Sequence, residues 1–184
     1  MADSLAAIKK LVFEEQRISM AELVDVLKKN WEGKEDIRQM FINDAPKFGN
    51  DDDYVDAIAK KLFRQVADET MKFKTIMGTS VVPDGTMASG HFMLGDVTNA
   101  TPDGRKAGEA LPDGSVSPVY GRDKSGPIAA LRSVSKADAV RSFNHLFNQT
   151  FMPQFMKGEY VETFVDYLRT WADLGIHHIQ FNVV

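Results

Sequence analysis

The most informative absence from this 184-residue sequence is cysteine, of which there is none. Without a thiol the chain cannot form a disulfide, bind a metal or iron–sulfur cluster through thiolates, or use a cysteine nucleophile. No stretch approaches the ~18 uninterrupted apolar residues of a membrane span, and the opening Met1-Ala2-Asp3-Ser4 does not resemble a signal peptide. We therefore expect a cytoplasmic protein with no membrane partner.

A basic excess is also missing, because 22 basic side chains stand against 26 acidic ones and the net charge is -4. This balance gives no electrostatic basis for binding nucleic acid. The common nucleophile-elbow, Walker, dinucleotide and His-Glu-x-x-His motifs are absent as well. His177 and His178 are adjacent, and neighbours in a strand point to opposite faces, so we expect no metal site.

The remaining composition, 43% apolar and 26% charged, is that of a globular domain. We expect one structural unit, with a helical segment over residues 1–77. Residues 78–184 should hold Gly/Pro-rich loops, short strands and one long helix. This alternation predicts an α/β fold, or α+β if the chain is taken by itself.

Apolar spacing and capping residues predict the helices of the first segment. One helix begins behind Asp3 and Ser4, and a second begins at the Ser19 and Glu22 capping box. A third is expected over about 35–42. The acidic run Asn50-Asp51-Asp52-Asp53 is interpreted as the start of a long helix reaching about Met77, since its spacing does not fit a calcium loop.

Residues 78–126 contain 9 of the 13 glycines, which is typical of loops and turns. Pro-Asp-Gly occurs three times, at 83–85, 102–104 and 112–114, and predicts turns whose glycine has a positive φ. Arg105 is expected to fix loop shape by pairing with a carboxylate. A strand is predicted over Met87 to Leu94.

The last segment returns to regular structure. A short helix is predicted over Ile128 to Lys136 and a strand over Leu146 to Phe151. A helix with its apolar face starting at Tyr160 should end at Gly175, before a strand over His178 to Val184. Because the chain stops inside that strand, we expect it to be part of a longer protein.

Several separated stretches occur together in a fixed order. They are Asp3–Lys10 (DSLAAIKK), Ala45–Asp52 (APKFGNDD), Ala100–Glu109 (ATPDGRKAGE), Asp113-Gly114, Ser117-Pro118, Gly126-Pro127, Ser133–Lys136 (SVSK), Leu146–Gln149 (LFNQ) and His178–Val184 (HIQFNVV). Together they resemble the C-terminal part of a glycyl radical enzyme of the pyruvate formate-lyase superfamily. The resemblance extends over essentially the whole chain.

This resemblance implies part of a ten-stranded barrel in which a glycyl radical loop meets a cysteine loop. In that family an activating enzyme with S-adenosylmethionine and an iron–sulfur cluster forms the glycyl radical. This radical converts the cysteine to a thiyl, which abstracts hydrogen from the substrate. The cysteine loop precedes the matched region, and an Arg-Val-x-Gly-Tyr motif follows it. Neither is present here, and no glycine follows Gly175. We expect no catalytic residue and no cofactor in this chain, which should be silent alone.

Substrate-facing positions are predicted from the barrel that the resemblance implies, since alternate residues of a barrel strand face its interior. The candidates on the predicted strands are Ser89, His91, Asn148 and Gln180. Alternation does not say which parity faces inward, so barrel packing remains the alternative role for each.

Two functions remain open. The parent protein would be a radical lyase, dehydratase, decarboxylase or fumarate-adding enzyme of anaerobic metabolism, with an activating enzyme as partner. Alternatively, the chain is a non-catalytic module that docks onto a partner completing the barrel. In either case it should associate with the remaining barrel or with itself through strand edges. A hydrolase using Ser135 and Lys136 has only their adjacency in its favour.

Overall fold

The structure, a computed structural model, describes residues 1–86, 89–137 and 145–184. The α-helices are α1 (Ala2–Ala7), α2 (Met20–Lys28), α3 (Glu35–Asn43), α4 (Asp53–Thr70), α5 (Gly90–Asp96), α6 (Pro127–Ser135) and α7 (Val161–Asp173). The strands are β1 (Leu146–Phe151) and β2 (His178–Val183). Helix α1 continues directly into a π-helical segment, Ile8–Glu14, and short 3-10 turns, Pro153–Met156 and Gly158–Tyr160, precede α7.

One apolar cluster lies among the first three helices. Trp31 is its largest buried side chain, and its ring centroid lies 5.6 Å from that of Phe41. The indole Nε1 donates to the carbonyl of Arg105 over 3.2 Å, so the cluster also holds the long middle loop. The predicted cap of α2 is confirmed, because the Glu22 amide donates to Ser19 Oγ over 3.1 Å.

Helix α4 begins where the acidic run predicts, with the Asp52 carboxylate accepting from the Tyr54 amide over 2.9 Å. It ends at Thr70, however, and not near Met77. The chain reverses instead, through an antiparallel bridge between Lys74 and Ser80 and a tight turn at Gly78, whose φ is +81°. The predicted helix was too long because apolar residues recur at helical spacing within residues 71–77, where the chain instead forms this turn.

The strand predicted over Met87 to Leu94 is wrong. Residues 87 and 88 lie outside the described chain, and Gly90–Asp96 form helix α5. His91 and Gly95 are its buried residues, and their spacing of four places them on one helical face. A Cβ at Gly95 would lie 2.5 Å from the Glu109 carbonyl oxygen, so packing against the loop decides the structure here.

Strands β1 and β2 form a parallel pair joined through α7. The register aligns Leu146 with His178 and Phe151 with Val183, as the predicted strands allow. One sheet face packs on α7, where the Phe151 and Tyr167 rings meet edge to face at 5.2 Å. This second apolar cluster also takes in residues of α1, α4 and α6. In the part of the chain that is described, no helix is long and apolar enough to cross a membrane.

Candidate functional site

The two faces of the β1–β2 pair differ in chemistry. Phe147 and Phe151 of β1, with Phe181 of β2, lie on the face that packs on α7. On that face Gln149 is also buried, and its Oε1 accepts from the Tyr167 hydroxyl. Since side chains alternate along a strand, the remaining positions form a polar face. Leu146 and His178 lie at its start, and its other members are Asn148, Thr150, Gln180 and Asn182.

A cavity of about 220 Å³ separates the sheet from the loop that precedes α6. It is lined from the loop by Asp113, Ser117, Pro118, Tyr120, Gly121 and Asp123, and from the sheet by Phe147, Asn148, Gln149, Thr150 and Asn182. We call this space the polar cavity. Its lining includes residues of both strands, and two of them, Phe147 and Gln149, belong to the face that packs on α7. The loop, β1 and Asn182 of β2 together define one site.

The loop is fixed to the outer edge of β1 by hydrogen bonds with the strand backbone. The Ser115 amide donates to the Leu146 carbonyl over 3.2 Å, and the Asn148 amide donates to Ser117 Oγ over 2.9 Å. Gly114 has a φ of +63°, and a Cβ there would lie 2.5 Å from the Leu146 oxygen. A glycine is therefore needed for the loop to approach the strand this closely.

Asp113 is held at the rim of the polar cavity by two aromatic side chains. His91 Nδ1 of α5 lies 3.4 Å from Asp113 Oδ1, and the histidine side chain is only 6% exposed. Tyr120 lies near the same carboxylate, and burial followed by the charge of Asp113 raises the pKa of the Tyr120 hydroxyl. The Asp113 carboxylate thus lies against the buried His91 ring and close to Tyr120.

The structure brings two of the predicted site residues together and separates the other two from them. Asn148 and Gln180 are register partners on the polar face, and Asn148 lines the polar cavity. Gln180 is exposed and donates to Asn182 Oδ1 over 3.1 Å. His91 reaches the cavity only through Asp113, and Ser89 stands at the start of α5. Ser89 and His91 were selected by alternation along a predicted strand, but His91 lies in helix α5 and Ser89 directly precedes it.

Sequence reasoning missed Asp113, Thr150 and Asn182. The two strand residues share the parity of Asn148 and Gln180, so the alternation signal would have found them once the polar face was known. Asp113 was interpreted as a turn residue and as part of a family motif, and no sequence pattern links it to a strand 33 or more positions away.

Arg105 does fix the loop, but not by the expected carboxylate pair. Its guanidinium donates to the backbone carbonyls of Glu109 over 2.6 Å and of Thr98 over 3.0 Å. The side chain is buried, and these carbonyls replace the water that it loses. Its contacts are therefore structural.

Ser135 and Lys136 do not form a nucleophile and base. Ser135 Oγ donates to the Arg132 carbonyl, whereas Lys136 Nζ bonds Asp51, Asp53 and Asp56 over 2.7, 2.7 and 3.0 Å. Burial alone would lower the pKa of Lys136, but these three carboxylates raise it above its ordinary value. A lysine held in its charged form cannot accept a proton, so the hydrolase hypothesis has no support.

Another buried titratable group belongs to the first turn of α1. Asp3 is 4% exposed, and its Oδ1 accepts from the Phe48 amide over 2.8 Å. Burial raises the pKa of Asp3 to about 6, although the Phe48 hydrogen bond and the nearby Lys47 act in the opposite direction. Burial also lowers the pKa of Lys47 to about 8. These groups tie α1 to the segment before α4.

Substitution of Asp3 by asparagine is expected to change how stability depends on pH. The folded chain binds the Asp3 proton more tightly than the unfolded chain, so wild-type stability should fall relative to Asp3→Asn as pH rises from about 4 to 7. A shift of about two pKa units corresponds to about 3 kcal/mol. Denaturant unfolding across this range measures the difference, with the exposed Asp166→Asn as control. A difference that stays constant with pH would refute the assignment.

Comparison with known proteins extends this picture to a family. The pyruvate formate lyase-like family model matches residues 1–95, and the glycine radical family model matches residues 113–184. The chain belongs to the pyruvate formate lyase-like family of glycyl radical enzymes. The resemblance seen in the sequence motifs is thereby confirmed.

Among the curated glycyl radical enzymes, the isethionate sulfite-lyase of Bilophila wadsworthia is 42% identical over 99% of this chain. The trans-4-hydroxy-L-proline dehydratase of Clostridioides difficile is 35% identical over all of it. The solved B12-independent glycerol dehydratase of Clostridium butyricum superimposes with a TM-score of 0.94 at 41% identity. The chain covers 22%, 23% and 23% of these proteins, so its mixed helical and stranded structure matches one part of the family fold.

Proposed function

We propose that this chain is the C-terminal part of a glycyl radical enzyme and supplies one polar wall of its substrate cavity. The proposal is supported mainly by the difference in length between this chain and its relatives, since all of this chain matches only 23% of the glycerol dehydratase chain. The relatives include a sulfite-lyase, a hydroxyproline dehydratase and an indoleacetate decarboxylase, so the parent reaction belongs to the lyase, dehydratase or decarboxylase type.

In this proposal the chain is catalytically silent until the remaining enzyme joins it. Hydrogen transfer in the family needs a radical glycine and a thiyl cysteine, and the sequence has no cysteine and no glycine after Gly175. The glycyl radical would come from an activating enzyme acting on the assembled, ten-stranded protein. Such chemistry suits the cytoplasm of an anaerobically growing organism.

A binding or assembly module is the second candidate, and exposed apolar side chains favour it. Phe73, Ile76 and Met77 are exposed in the turn after α4, Met93 is exposed on α5, and Val97 is exposed directly after it. Exposed apolar groups of this size are typical of surfaces covered by another polypeptide. Both candidates need such a partner, but only the first requires that the assembly turn over a substrate.

Reconstitution from separate polypeptides distinguishes the two functions. The 184-residue chain would be mixed anaerobically with a polypeptide bearing the family cysteine loop and with one bearing the Arg-Val-x-Gly-Tyr motif. With activating enzyme, S-adenosylmethionine and reductant, a radical enzyme should form a glycyl radical and consume substrate only when all pieces are present. Co-elution without a radical would favour the module, and absence of any complex would contradict both functions.

A further inference from the structure

The charge of the polar cavity restricts the class of molecule that it accepts. Asp113 and Asp123 are the charged residues of its lining, and in the described part of the chain no lysine, arginine or histidine lines it. Arg122 and Lys124 flank Asp123 in sequence but are not lining residues.

Hydrogen-bond acceptors in the polar cavity also lack donors. Asn148 Oδ1 and Asp113 Oδ1 are buried atoms without a hydrogen-bond partner among the described residues, since the 3.4 Å contact of His91 Nδ1 with Asp113 Oδ1 is not a hydrogen bond. Ser117 Oγ already accepts from the Asn148 amide, and Asn182 Oδ1 accepts from Gln180. Buried acceptors left unpaired cost free energy, so a ligand that brings donors would be favoured over one that brings further acceptors.

The position of Asp113 is set before any ligand arrives. His91 Nδ1 packs 3.4 Å from its Oδ1, and the adjacent Gly114 lets the loop approach the Leu146 carbonyl closely. Preorganised groups lose little conformational entropy on binding. A fixed carboxylate binds hydroxyl or ammonium hydrogens well, and it repels a carboxylate or sulfonate.

We propose that the polar cavity binds an uncharged or cationic molecule through hydroxyl or ammonium hydrogens, with Asp113 as its main acceptor, and rejects carboxylates and sulfonates. The inference deepens the proposed function, because it takes the polar cavity as part of the substrate site. In this inference, the loop before α6 and the polar face of β1 and β2 select which molecules bind to the polar cavity.

Nuclear magnetic resonance titration of the 184-residue chain tests this directly. The probes are glycerol, ethanolamine, acetate and methanesulfonate at equal ionic strength and pH 7.5. Glycerol and ethanolamine should shift the amide signals of Asp113, Asn148 and Asn182, and the two anions should not. Equal or larger shifts with the anions would overturn the proposal, as would the absence of shifts with all four probes.

Variants identify the acceptor. Asp113→Asn should weaken glycerol and ethanolamine binding about tenfold, the loss expected for a charge-assisted hydrogen bond. Asp166→Asn, an exposed carboxylate on α7, is the matched control and should bind as wild type. An unchanged affinity in Asp113→Asn would remove this residue from the site.

A second variant keeps the test valid if Asp113→Asn does not fold. Asn182→Lys places a cation on the strand side of the polar cavity and should admit acetate and methanesulfonate while weakening ethanolamine binding. Unaltered selectivity would contradict the proposal. The titration needs no radical, so its result is independent of the reconstitution experiment. Binding of glycerol and ethanolamine without turnover on reconstitution would refute only the proposed function. Turnover on reconstitution, with anions binding the polar cavity as well as glycerol does, would refute only this inference.

Discussion

Gly104→Val is expected to lower the free energy of unfolding by about 3 to 5 kcal/mol. Gly104 has a φ of +94°, which a β-branched residue adopts only with strain. A Cβ there would also lie 2.4 Å from Ile42 Cγ1 of α3. The turn cannot move away easily, because Arg38 Nε donates to the Gly104 carbonyl over 2.7 Å. Backbone strain and steric overlap with Ile42 therefore both destabilise Gly104→Val.

Gly108→Val separates these two effects. Its φ of +81° is similarly left-handed, but nothing lies within 4 Å of a Cβ built there. This variant should lose about 1 to 2 kcal/mol, the share due to strain. Calorimetry or denaturant unfolding of both variants measures the difference. Equal decreases in the free energy of unfolding of the two variants would show that the Ile42 side chain moves aside for the valine. An unchanged melting temperature in Gly104→Val would contradict the positive φ.

The second large effect expected is self-association of the isolated chain. A two-stranded parallel pair leaves one edge of each strand without a strand partner. The edge of β1 is partly covered, because loop residues bond Leu146 and Asn148. Within the described ranges, no strand covers the outer edge of β2. We expect dimers or larger assemblies joined through β2.

The geometry of β2 identifies where this edge can be blocked. Leu146 and Asn148 direct their backbone groups toward the loop, so the residues between them face β2. In this register the backbone amides of Ile179, Phe181 and Val183 point to the open edge. Val183 is 49% exposed, and a lysine there adds charge to the edge without removing a buried side chain.

Light scattering at micromolar concentration tests the association. Wild type should have at least twice the monomer mass of 20.5 kDa, and Val183→Lys should shift toward the monomer. Val66→Lys is the matched control, because Val66 is 58% exposed on α4 and lies away from any strand edge. A monodisperse wild-type monomer with fast hydrogen exchange across residues 178–184 would contradict the edge mechanism.

The helices and strands with strong local signals could be predicted from the sequence. Helix α2 has its cap at Ser19, α7 has a wide aromatic face, and β1 and β2 are short runs bounded by loops. Each of these signals lies within a few residues of the structure that it specifies. The motifs also identified the family, because their order constrains the match more than any single motif does.

Helix α5 and the polar cavity depend on contacts between distant parts of the chain. Helix α5 is short, and its buried face is decided by the loop at Glu109 and Ala110. The pair of His91 and Asp113 joins residues that no sequence period relates. The polar face of β1 could be assigned only after α7 was seen to cover the other face. Local propensity contains none of this information.

Electron paramagnetic resonance spectroscopy is the most direct test of the central claim that this chain is one part of a glycyl radical enzyme. The purified chain would be incubated anaerobically with an activating enzyme, S-adenosylmethionine and reductant, alone and with the two polypeptides that bear the missing motifs. The account predicts a glycyl doublet only in the complete mixture. A doublet from the 184-residue chain alone, or none from a complete mixture that forms a stable complex, would contradict it.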